Sequence, residues 1–485
     1  MTFEIVFVLL SLLGMVAALI ADKMRPGMIL FSVVVLFLCA GILTPKEMLE
    51  GFSNKGMITV ALLFLVSEGI RQSGTLGQVI KKLLPQGKTT VFKAQLRILP
   101  SVAFISAFLN NTPVVVIFAP IIKHWAKSVN LPATKFLIPL SYVTILGGIC
   151  TLIGTSTNLV VHGMILEAGF EGFSMFELGK VGIFIAIAGI IYIFLFSKRL
   201  LPDARPDTAV PDEEVEEGEK LHRVEAVLGA RFPGINKKLK DFNFQRHYGA
   251  EVKEIKTRNG QRFVSNLEEV VLHEGDTLVV MADDTFIPTW GESSVFVLLT
   301  NGNEPDTTGK KKRWFALLLL VLMIVGATVG ELPVTKEMFP DIKLDMFFFV
   351  SITTIIMAWT NLFPARKYTK YISWDILITI ACAFAISKAM VNSGVADSVA
   401  KFIIGLSDDY GPHVLLAMLF IITNLFTELI TNNAAAALAF PLALSIASQL
   451  GVSPTPFFVV ICMAASASFS TPIGYQTNLI VQGIG

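Results

Sequence analysis

The sequence has little charge, and it lacks the residue patterns that enzymes use. Of its 485 residues, 16% are charged and 53% are hydrophobic, and the mean hydropathy is +0.66. These values exclude a soluble globular enzyme, a disordered chain and a fibrous protein. The net charge of +1 gives no overall attraction to polyanions, so no nucleic acid partner is predicted.

Cysteine is scarce and reactive motifs are missing. The four cysteines lie in apolar segments without a Cys-x-x-Cys spacing, at Cys39, Cys150, Cys382 and Cys462. This excludes a disulfide framework or a metal site built from cysteine. The sequence also has no nucleophile–base arrangement, Walker loop or dinucleotide fingerprint. We therefore predict that the protein is not an enzyme, and that any uphill transport uses an ion gradient.

The charge that is present is concentrated in one segment. Residues 203–313 hold 37 of the 77 charged residues. This predicts a soluble insert within an integral membrane protein, with a first membrane repeat at 1–202, a cytosolic regulatory α+β domain at 203–312 and a second membrane repeat at 313–485. The insert is expected to contain an acidic linker, a hairpin turn and four strands, which are Asp212–Glu219, Arg258–Gly260, and Glu225–Leu228, Ala250–Ile255, Thr277–Met281 and Val295–Leu299.

Long apolar runs predict helices that cross the membrane, since about 20 residues span ~30 Å of hydrocarbon. The predicted spans are Ile5–Ile20, Met28–Leu43, Met57–Ile70, Leu137–Met164, Val181–Phe196, Phe315–Val329, Met346–Leu362, Trp374–Met390 and Phe457–Val481. The first run follows Thr2 and Glu4 instead of Lys or Arg, so we interpret it as a retained span and not as a signal peptide.

Two regions differ because polar residues separate shorter apolar arms. The polar tips are Asn110–Pro113, between arms Ile98–Leu109 and Val114–Ile122, and Thr431–Asn433, between arms Val414–Ile430 and Ala434–Leu450. Backbone that is not helical survives at membrane depth only inside protein or beside a water-filled cavity. We therefore predict two re-entrant hairpins, which enter the membrane and return on the same side.

Lys and Arg are concentrated in alternate short loops, for example from Arg71 to Arg97 and from Lys310 to Arg313, whereas the other loops are mixed or acidic, as from Glu331 to Asp341. The alternation holds if the two hairpins do not cross. By the positive-inside rule, it predicts a multi-pass protein of the cell membrane with its N-terminus outside and residues 203–312 in the cytoplasm.

The chain contains an internal repeat, which appears when the first half is aligned with the second. Thr151–Gly163 aligns with Thr471–Gly483 and is identical to it at most positions, and Asn111 aligns with Asn432 after a single-residue slip. Five predicted spans separate equivalent points, so the second copy is turned over relative to the first. Inverted repeats with broken helices are typical of secondary transporters, which hold substrate where the copies meet.

The duplicated tips and breaks have the residue types of an ion and anion site. Carbonyls and the side-chain oxygens of Asn and Thr coordinate hard cations such as Na⁺, and helix N-termini attract anions. Gly154–Asn158 and Gly474–Asn478 are predicted to break the span opposite each tip. Each copy would then form one cation site, with the anion between the copies. A lone Asn more often only holds membrane helices together, but the duplication favours a site.

Glu428 is a predicted intramembrane carboxylate, at a position where the first copy has the apolar Ala107. Such a group is a functional candidate, here a coupling carboxylate that tunes the second cation site or carries a proton. The alternative is a structural pairing with Lys388 or a neighbouring hydroxyl. Glu68 is expected to pair with Arg71 or to lie at the membrane surface.

At these residues the chain resembles the divalent anion:sodium symporter family, whose members carry two Ser-Asn-Thr tips, each followed by a Thr-Pro-Pro-type break. The resemblance implies a homodimeric elevator-type transporter that moves Na⁺ with a dicarboxylate or sulfate. It implies sodium sites at Asn110, Asn111 and Gly148 and at Thr431, Asn432 and Ser470. Together with the breaks, it predicts substrate-binding residues Asn111, Thr112, Thr157, Asn158, Asn432, Asn433, Thr471, Pro472, Thr477 and Asn478.

The substrate is predicted from departures from the family pattern. Ser156-Thr157 stands where carboxylate carriers often have Pro-Pro, and extra hydroxyls suit a compact tetrahedral oxyanion. This favours a sodium-coupled sulfate symporter, with a succinate-like dicarboxylate symporter as the alternative. A ligand-gated ion channel or a membrane sensor is the alternative of another class, although no Thr-Val-Gly-Tyr-Gly-like filter is present.

The insert resembles the C-terminal lobe of regulator-of-potassium-conductance proteins at Phe232–Leu239, Arg246–Gly249 and His273–Leu278. Such lobes pair with a second copy, and some bind small ligands such as cyclic di-AMP. The resemblance implies a regulatory, dimerising domain with a cyclic dinucleotide as its ligand, and the alternative is a structural tether. The repeat also predicts a further span after Gly483, which the sequence to Gly485 does not contain.

Overall fold

The protein is built mainly of apolar helices, with a small sheet domain between two helical halves. The computed structural model describes residues 3–21, 23–85, 87–202, 222–229, 231–257, 261–283, 286–290, 295–300, 310–405, 411–471 and 474–484. Within these ranges, seven helical segments are long and apolar enough to cross a membrane. This confirms the helical integral membrane class.

The described residues of the first half form ten α-helices. In chain order they are α1 Phe3–Ala21, α2 Pro26–Cys39, α3 Pro45–Glu50, α4 Lys55–Gln72, α5 Thr75–Leu83, α6 Val91–Ser106, α7 Asn111–Ser128, α8 Thr134–Gly148, α9 Ser156–Glu167 and α10 Gly179–Leu200. Local sequence sets several of these starts. The Asn54 side chain caps α4 by accepting a hydrogen bond from the Gly56 N–H at 2.7 Å.

The inserted domain has a five-stranded antiparallel sheet in the order β3-β2-β4-β1-β5. Its elements are β1 His222–Leu228, α11 Phe244–Tyr248, β2 Glu251–Lys256, β3 Arg262–Phe263, β4 Thr277–Ala282, α12 Phe286–Trp290 and β5 Phe296–Thr300. The four predicted strands are therefore confirmed. The predicted acidic linker 212–219 and hairpin turn 258–260 lie outside the described residues. Phe232 and Tyr248 stack in a separate apolar core beside the sheet.

The described residues of the second half form a further ten α-helices. They are α13 Lys310–Gly330, α14 Pro333–Met338, α15 Met346–Trp359, α16 Tyr368–Tyr371, α17 Trp374–Asn392, α18 Val395–Gly405, α19 Gly411–Leu429, α20 Asn432–Leu450, α21 Thr455–Ser466 and α22 Gln476–Ile484. The predicted long spans Leu137–Met164 and Phe457–Val481 are each divided into two helices. The first two residues of each predicted break, 154–155 and 474–475, precede the second helix, whereas the last three, 156–158 and 476–478, form its first turn.

Six consecutive helices of the first half recur in the second. Helices α4 to α9 correspond in order to α17 to α22, and corresponding helices start at nearly the same separation along the chain throughout the series. The two sets also contact one another reciprocally, because α22 packs on α7 and α8 while α9 packs on α20 and α21. This arrangement brings the start of α22 to the first tip and the start of α9 to the second.

The hairpin arms are longer as helices than the apolar stretches that predicted them. With 16 and 18 residues, α6 and α7 are roughly 24 and 27 Å long at a rise of 1.5 Å per residue. The difference arises because each helix extends beyond its apolar stretch into polar residues. In α6 these are the residues before Ile98, and in α7 they are the residues from Lys123 onward. Whether the hairpins re-enter the membrane stays a prediction.

The sheet domain rests on helices of both membrane halves. The Lys123 ammonium on α7 donates to the Glu225 carboxylate of β1 at 3.0 Å and to the Ile484 carbonyl of α22 at 2.7 Å. The Thr277 hydroxyl of β4 donates to the Gly483 carbonyl at 2.9 Å. A Cβ at Gly483 would lie 2.7 Å from that hydroxyl, so this contact requires a residue without a side chain.

Candidate functional site

A cavity of about 630 Å³ lies between the two tips and the two breaks. Each of the four segments contributes neutral polar side chains to its wall. From the first half these are Asn110, Thr112, Ser156 and Thr157, and from the second half Thr431, Asn432, Asn433, Thr471, Tyr475 and Gln476. The cavity therefore occupies the position at which the sequence predicted an anion.

Close helix packing brings the first tip against the first break. A Cβ at Gly147 would lie 2.1 Å from the Ala103 carbonyl, and one at Gly148 would lie 2.5 Å from Oδ1 of Asn111. Only glycine allows this approach of α8 to α6 and to the tip. As a result, the Asn111 side chain is fully buried against the C-terminal end of α8.

Four oxygens converge around the first tip, and we call them the first cage: Asn111 Oδ1, Ser106 Oγ and the carbonyls of Thr144 and Gly154. Oδ1 lies 2.8 Å from the Ser106 hydroxyl, 3.0 Å from the Thr144 oxygen and 3.3 Å from the Gly154 oxygen. Oxygens this close repel one another unless a cation or a hydrogen-bond donor lies among them. The Ser106 hydroxyl supplies one such donor, and the carbonyls of Thr144 and Gly154 require either a cation or the amide nitrogen of Asn111 opposite them.

The other orientation of the Asn111 amide satisfies the same geometry without a cation. Turned over, its nitrogen has three possible acceptors for its two protons, at Ser106, Thr144 and Gly154, while its oxygen accepts from the Tyr475 hydroxyl at 2.7 Å. In the first orientation Nδ2 instead donates to that hydroxyl at the same distance. The second orientation gives the amide oxygen a donor and the amide nitrogen acceptors, so it is the one that the surrounding hydrogen bonds favour.

A corresponding second cage surrounds Asn432. The Thr427 and Ser468 hydroxyls lie 2.8 and 3.2 Å from Asn432 Oδ1, and the Thr427 hydroxyl also lies 2.6 Å from the Ala465 carbonyl. In the repeat, Thr427, Asn432 and Ala465 occupy the positions of Ser106, Asn111 and Thr144, so most of the first cage has a counterpart. This second cage also offers only neutral oxygens.

Two buried asparagines hold the unwound breaks. Nδ2 of Asn158 donates to the carbonyls of Gly148 and Thr151 at 3.4 and 2.9 Å. Nδ2 of Asn478 donates to the carbonyls of Ser468 and Thr471 at 2.8 and 3.2 Å. The contacts are the same in both halves, and the structure places both residues behind the cages.

The tips and breaks of opposite halves also touch across the cavity. The Thr112 hydroxyl donates to Gln476 Oε1 at 3.2 Å. The equivalent contact between the first break and the second tip joins the Ser156 hydroxyl to Asn433 Oδ1 at 3.3 Å. The Thr157 hydroxyl lies 3.4 Å from the same oxygen. The fold therefore brings the predicted substrate residues Thr112, Thr157 and Asn433 to these contacts, together with Ser156 and Gln476, which were not predicted.

The remaining predicted residues have other surroundings. The Thr431 side chain caps α20 through the Ala434 N–H at 3.4 Å, and Thr477 is buried with its hydroxyl 2.9 Å from the Ser141 hydroxyl. Ser470 is exposed, and the position that corresponds to Gly148 is Ser468. Pro472 lies outside the described residues.

Glu428 is held by the second break. Its two carboxylate oxygens accept hydrogen bonds from the N–H groups of Ser470 and Thr471 at 3.0 and 2.9 Å and from the Thr471 hydroxyl at 2.9 Å. A neighbouring hydroxyl is therefore its partner, as one of the two predictions proposed. The other cavity carboxylate, Glu68, accepts from Arg71 at 2.6 and 2.8 Å, which confirms that predicted pair.

The charge on the cavity wall restricts what can bind there. Among the described residues that line it, none is Lys, Arg or His, whereas two are glutamates. Arg71 neutralises Glu68, so the carboxylate of Glu428 dominates the local field. An anion in this cavity would be repelled by that carboxylate, and no cationic side chain among the described lining residues offsets the repulsion.

Sequence reasoning missed several members of the cages, namely Ser106, Thr144, Thr427, Ala465 and Ser468, and it also missed Tyr475, whose hydroxyl contacts Asn111. Extending the repeat alignment upstream of the tips, in the register that pairs the two tip asparagines, would have paired Ser106 with Thr427. Tyr475 gave no such signal, because the first half has Thr155 at the equivalent position.

The fold and the cavity define a multi-pass membrane transporter, and comparison with known proteins identifies its family. A family model described as citrate transporter matches residues 16–451 and 342–485. The chain therefore belongs to the citrate transporter family, so it is an anion transporter and not an enzyme. This confirms the predicted relationship to anion transporters.

Similar proteins include an uncharacterized transporter of Synechocystis sp., which is 29% identical over 93% of this chain and 88% of its own length. A putative sulfur deprivation response regulator of Chlamydomonas reinhardtii is 27% identical over 94% of this chain and 92% of its own. Sodium/sulfate cotransporter 1 of the same alga is 33% identical over 59% of this chain and 32% of its own.

Proposed function

We propose that the protein is a sodium-coupled symporter of sulfate. The observation that carries this proposal is a cavity lined by the tips and breaks of both halves, with an oxygen cage beside each tip. A dianion between the tips meets Glu428 and, among the described lining residues, no cationic side chain. At an effective dielectric constant near 20, unit charges 4 Å apart interact by about 4 kcal/mol. Cations in the cages would thus decide whether the anion binds.

The proposed roles of the residues follow from their positions. Asn111 and Asn432 contribute amide oxygens to the two Na⁺ sites, together with the other oxygens of the two cages. The N-termini of α7, α20, α9 and α22 begin at the cavity, and their partial positive charges favour an anion. Thr112, Ser156 and Asn433 supply neutral groups that hydrogen-bond its oxygens.

The mechanism that we propose is alternating access between two inverted copies. The recurrence of six helices and the reciprocal contacts between tips and breaks support a repeat with substrate at its centre. In this proposal the hairpins and broken helices move together as an elevator against the other helices of a homodimer. The N-terminus lies outside and the sheet domain lies in the cytoplasm.

Sulfate is preferred to a carboxylate because of the relatives and the lining. Relatives that extend over part or most of this chain are named sodium/sulfate cotransporters. Hydroxyl and amide groups from four segments suit a compact tetrahedral oxyanion. Succinate and citrate are the competitors to test, since one relative is named a sodium-dependent dicarboxylate transporter and the family model is described as a citrate transporter.

We propose that the sheet domain regulates transport. Its support is the contact of β1 and β4 with α7 and α22, which carry the first tip and follow the second break. A signal that shifts the sheet would act directly on elements that form the cavity wall. Binding of a cyclic dinucleotide and pairing with a second copy of the domain stay predictions.

The test is uptake of radiolabelled sulfate by proteoliposomes with an inward Na⁺ gradient, compared with choline at the same pH. We expect concentrative uptake and counterflow only with Na⁺, with weaker competition by succinate and citrate. Ohmic current without counterflow would indicate a channel. Sulfate binding without flux would indicate a sensor, a function that the relative named as a sulfur deprivation response regulator favours.

A further inference from the structure

One face of α9 is covered closely by the start of α4. A Cβ at Gly56 would lie 2.7 Å from the Leu159 carbonyl, and one at Gly163 would lie 2.5 Å from Oδ1 of Asn54. Nδ2 of Asn54 also donates to the Gly163 carbonyl at 3.4 Å. Residues 159 and 163 are one helical turn apart, so they belong to the same face of α9. The two helices therefore pack in direct backbone contact along this face.

The equivalent face of α22 is covered by the sheet domain instead of a membrane helix. In the repeat, Leu479 and Gly483 occupy on α22 the two positions just described on α9. A Cβ at Gly275 would lie 3.1 Å from a methyl carbon of Leu479, and the Thr277 hydroxyl donates to the Gly483 carbonyl at 2.9 Å. The equivalent glycine carbonyl thus accepts from an asparagine of α4 in one half and from a threonine of β4 in the other.

The repeat counterpart of α4 is α17, and it stands apart from α22. Ser373 and Ile376 at the start of α17 line the cavity, as does Gln476 at the start of α22, so the cavity lies between the two helices. Within the described part of the chain, α4 packs extensively on α9, whereas α17 has no packing of that extent on α22. The first turn of α17 is nevertheless close to the sheet domain, since Asp375 interacts electrostatically with Arg231 of that domain.

In a carrier built of inverted copies, one end state becomes the other when the copies exchange conformations, because a two-fold axis in the membrane plane relates them. In the alternate state α4 would leave α9, and α17 would take the equivalent place on α22, at Leu479 and Gly483. We propose that the sheet domain inhibits transport by occupying this face of α22, so that α17 cannot reach it. This inference deepens the proposed function and rests on it, since it assumes alternating access between the two copies.

Relief of the inhibition requires the sheet to tilt but not to detach. The turn at 273–277 is rigid, because the fully buried Asp276 carboxylate accepts a hydrogen bond from the His273 N–H at 2.7 Å. The turn therefore moves as a unit with the sheet, and both of its contacts with α22 break together. The ion pair of Lys123 with Glu225 joins the sheet to α7, so the sheet can remain attached there while the turn withdraws.

The first experiment compares wild type with Thr277→Val, which keeps the side-chain shape and removes only the hydroxyl that holds α22. Sulfate uptake is measured in proteoliposomes of the full chain with an inward Na⁺ gradient. We expect the initial rate to rise about 2- to 10-fold, the shift in a docking equilibrium when one hydrogen bond is lost. Thr257→Val is the control and should match wild type, since its hydroxyl donates within the sheet domain, to the Gln261 carbonyl at 3.3 Å. An unchanged or lower rate in Thr277→Val would overturn the proposal.

A second measurement needs no solute. Ile376→Cys combined with Leu479→Cys places cysteines at the positions equivalent to Gly56 and Leu159, which touch between α4 and α9. We expect an oxidative cross-link that forms about 2- to 10-fold faster when Thr277→Val is added, and that neither single-cysteine variant shows. Equal cross-linking with and without Thr277→Val would overturn the inhibition. Sulfate uptake by wild type that does not depend on Na⁺ would instead refute the proposed function, and the cross-link would still decide the inference.

Discussion

The two halves of the cavity share a backbone frame and differ in the charges and side chains placed on it. In both halves a hydroxyl and an asparagine oxygen form a cage at a helix start, and a second asparagine ties the break to the cage. The shared pairs are Ser106 with Thr427, Asn111 with Asn432, and Asn158 with Asn478. These contacts require neutral oxygens and small residues, which explains why the repeat is most visible in Asn, Thr and Gly.

The differences lie beside the cages, in the tips and breaks. Ala107 corresponds to Glu428, Gly148 to Ser468 and Thr155 to Tyr475. The first cage is neutral and is linked across the halves by a tyrosine, whereas the second cage lies beside a carboxylate.

The largest expected effect comes from removing what the halves share. Asn111→Ala or Asn432→Ala deletes a cage oxygen, and we expect Na⁺-dependent sulfate uptake to fall at least ~100-fold, because a lost ligand to a charged group costs about 1.5–3 kcal/mol in each of several coupled equilibria. Uptake in proteoliposomes measures this. The control is Asn392→Ala, an exposed asparagine that donates to the Ile42 carbonyl at 3.1 Å. Near-normal uptake by a monodisperse Asn432→Ala protein would remove the cage assignment.

A smaller effect is expected from removing the main charge difference. Glu428→Gln keeps the side-chain shape but loses the charge beside the second cage, so Na⁺ affinity should fall about 10-fold and sulfate uptake should need more Na⁺. Initial rates across a series of Na⁺ concentrations at fixed sulfate would measure the shift. Glu337→Gln, at the exposed end of α14, serves as the control. An unchanged Na⁺ dependence would show that the carboxylate only caps the break.

The smallest expected effect concerns how the breaks are held. The Ser141 hydroxyl donates to Asn478 Oδ1 at 2.7 Å. The corresponding oxygen of the other half, Oδ1 of Asn158, has no hydrogen-bond partner among the described residues. The residue that corresponds to Ser141 there is Cys462. Ser141→Ala would leave both asparagine oxygens without a donor and should cost about 1–3 kcal/mol of stability. Thermal unfolding in detergent should show a lower Tm, with the Na⁺ dependence of uptake retained. A change in Na⁺ dependence would instead place Asn478 at the ligands.

Much of this architecture was predictable, because membrane helices and their interruptions are marked by composition. The spans, the two tips, the two breaks and the four strands follow from apolar runs, clusters of Asn and Thr, and turn residues. The partners of the tips were not predictable, since the oxygens of Thr144, Gly154 and Ala465 are backbone atoms. Which carbonyl faces Asn111 depends on how closely α8 packs on α6, and no side-chain pattern records that distance.

Tyr475 shows a second limit. A repeat search finds what the copies share, so a residue that differs from its counterpart Thr155 is hidden by the same alignment that reveals Asn478. The partner of Glu428 could not be predicted for a related reason. A carboxylate beside unwound backbone can accept hydrogen bonds from N–H groups that would be paired within a helix.

The contacts between the sheet domain and the membrane helices have a consequence for how the protein moves. The ammonium group of Lys123 on α7 contacts both β1 and the end of α22. A single side chain therefore connects a helix of each membrane half to the sheet. In the proposed elevator motion α7 and α22 move together, so this junction would carry the sheet along with them, and the position of the sheet would indicate the position of the carrier. Fluorescent labels on the sheet and on α10 would then report each turnover as a change in distance, whatever solute is carried.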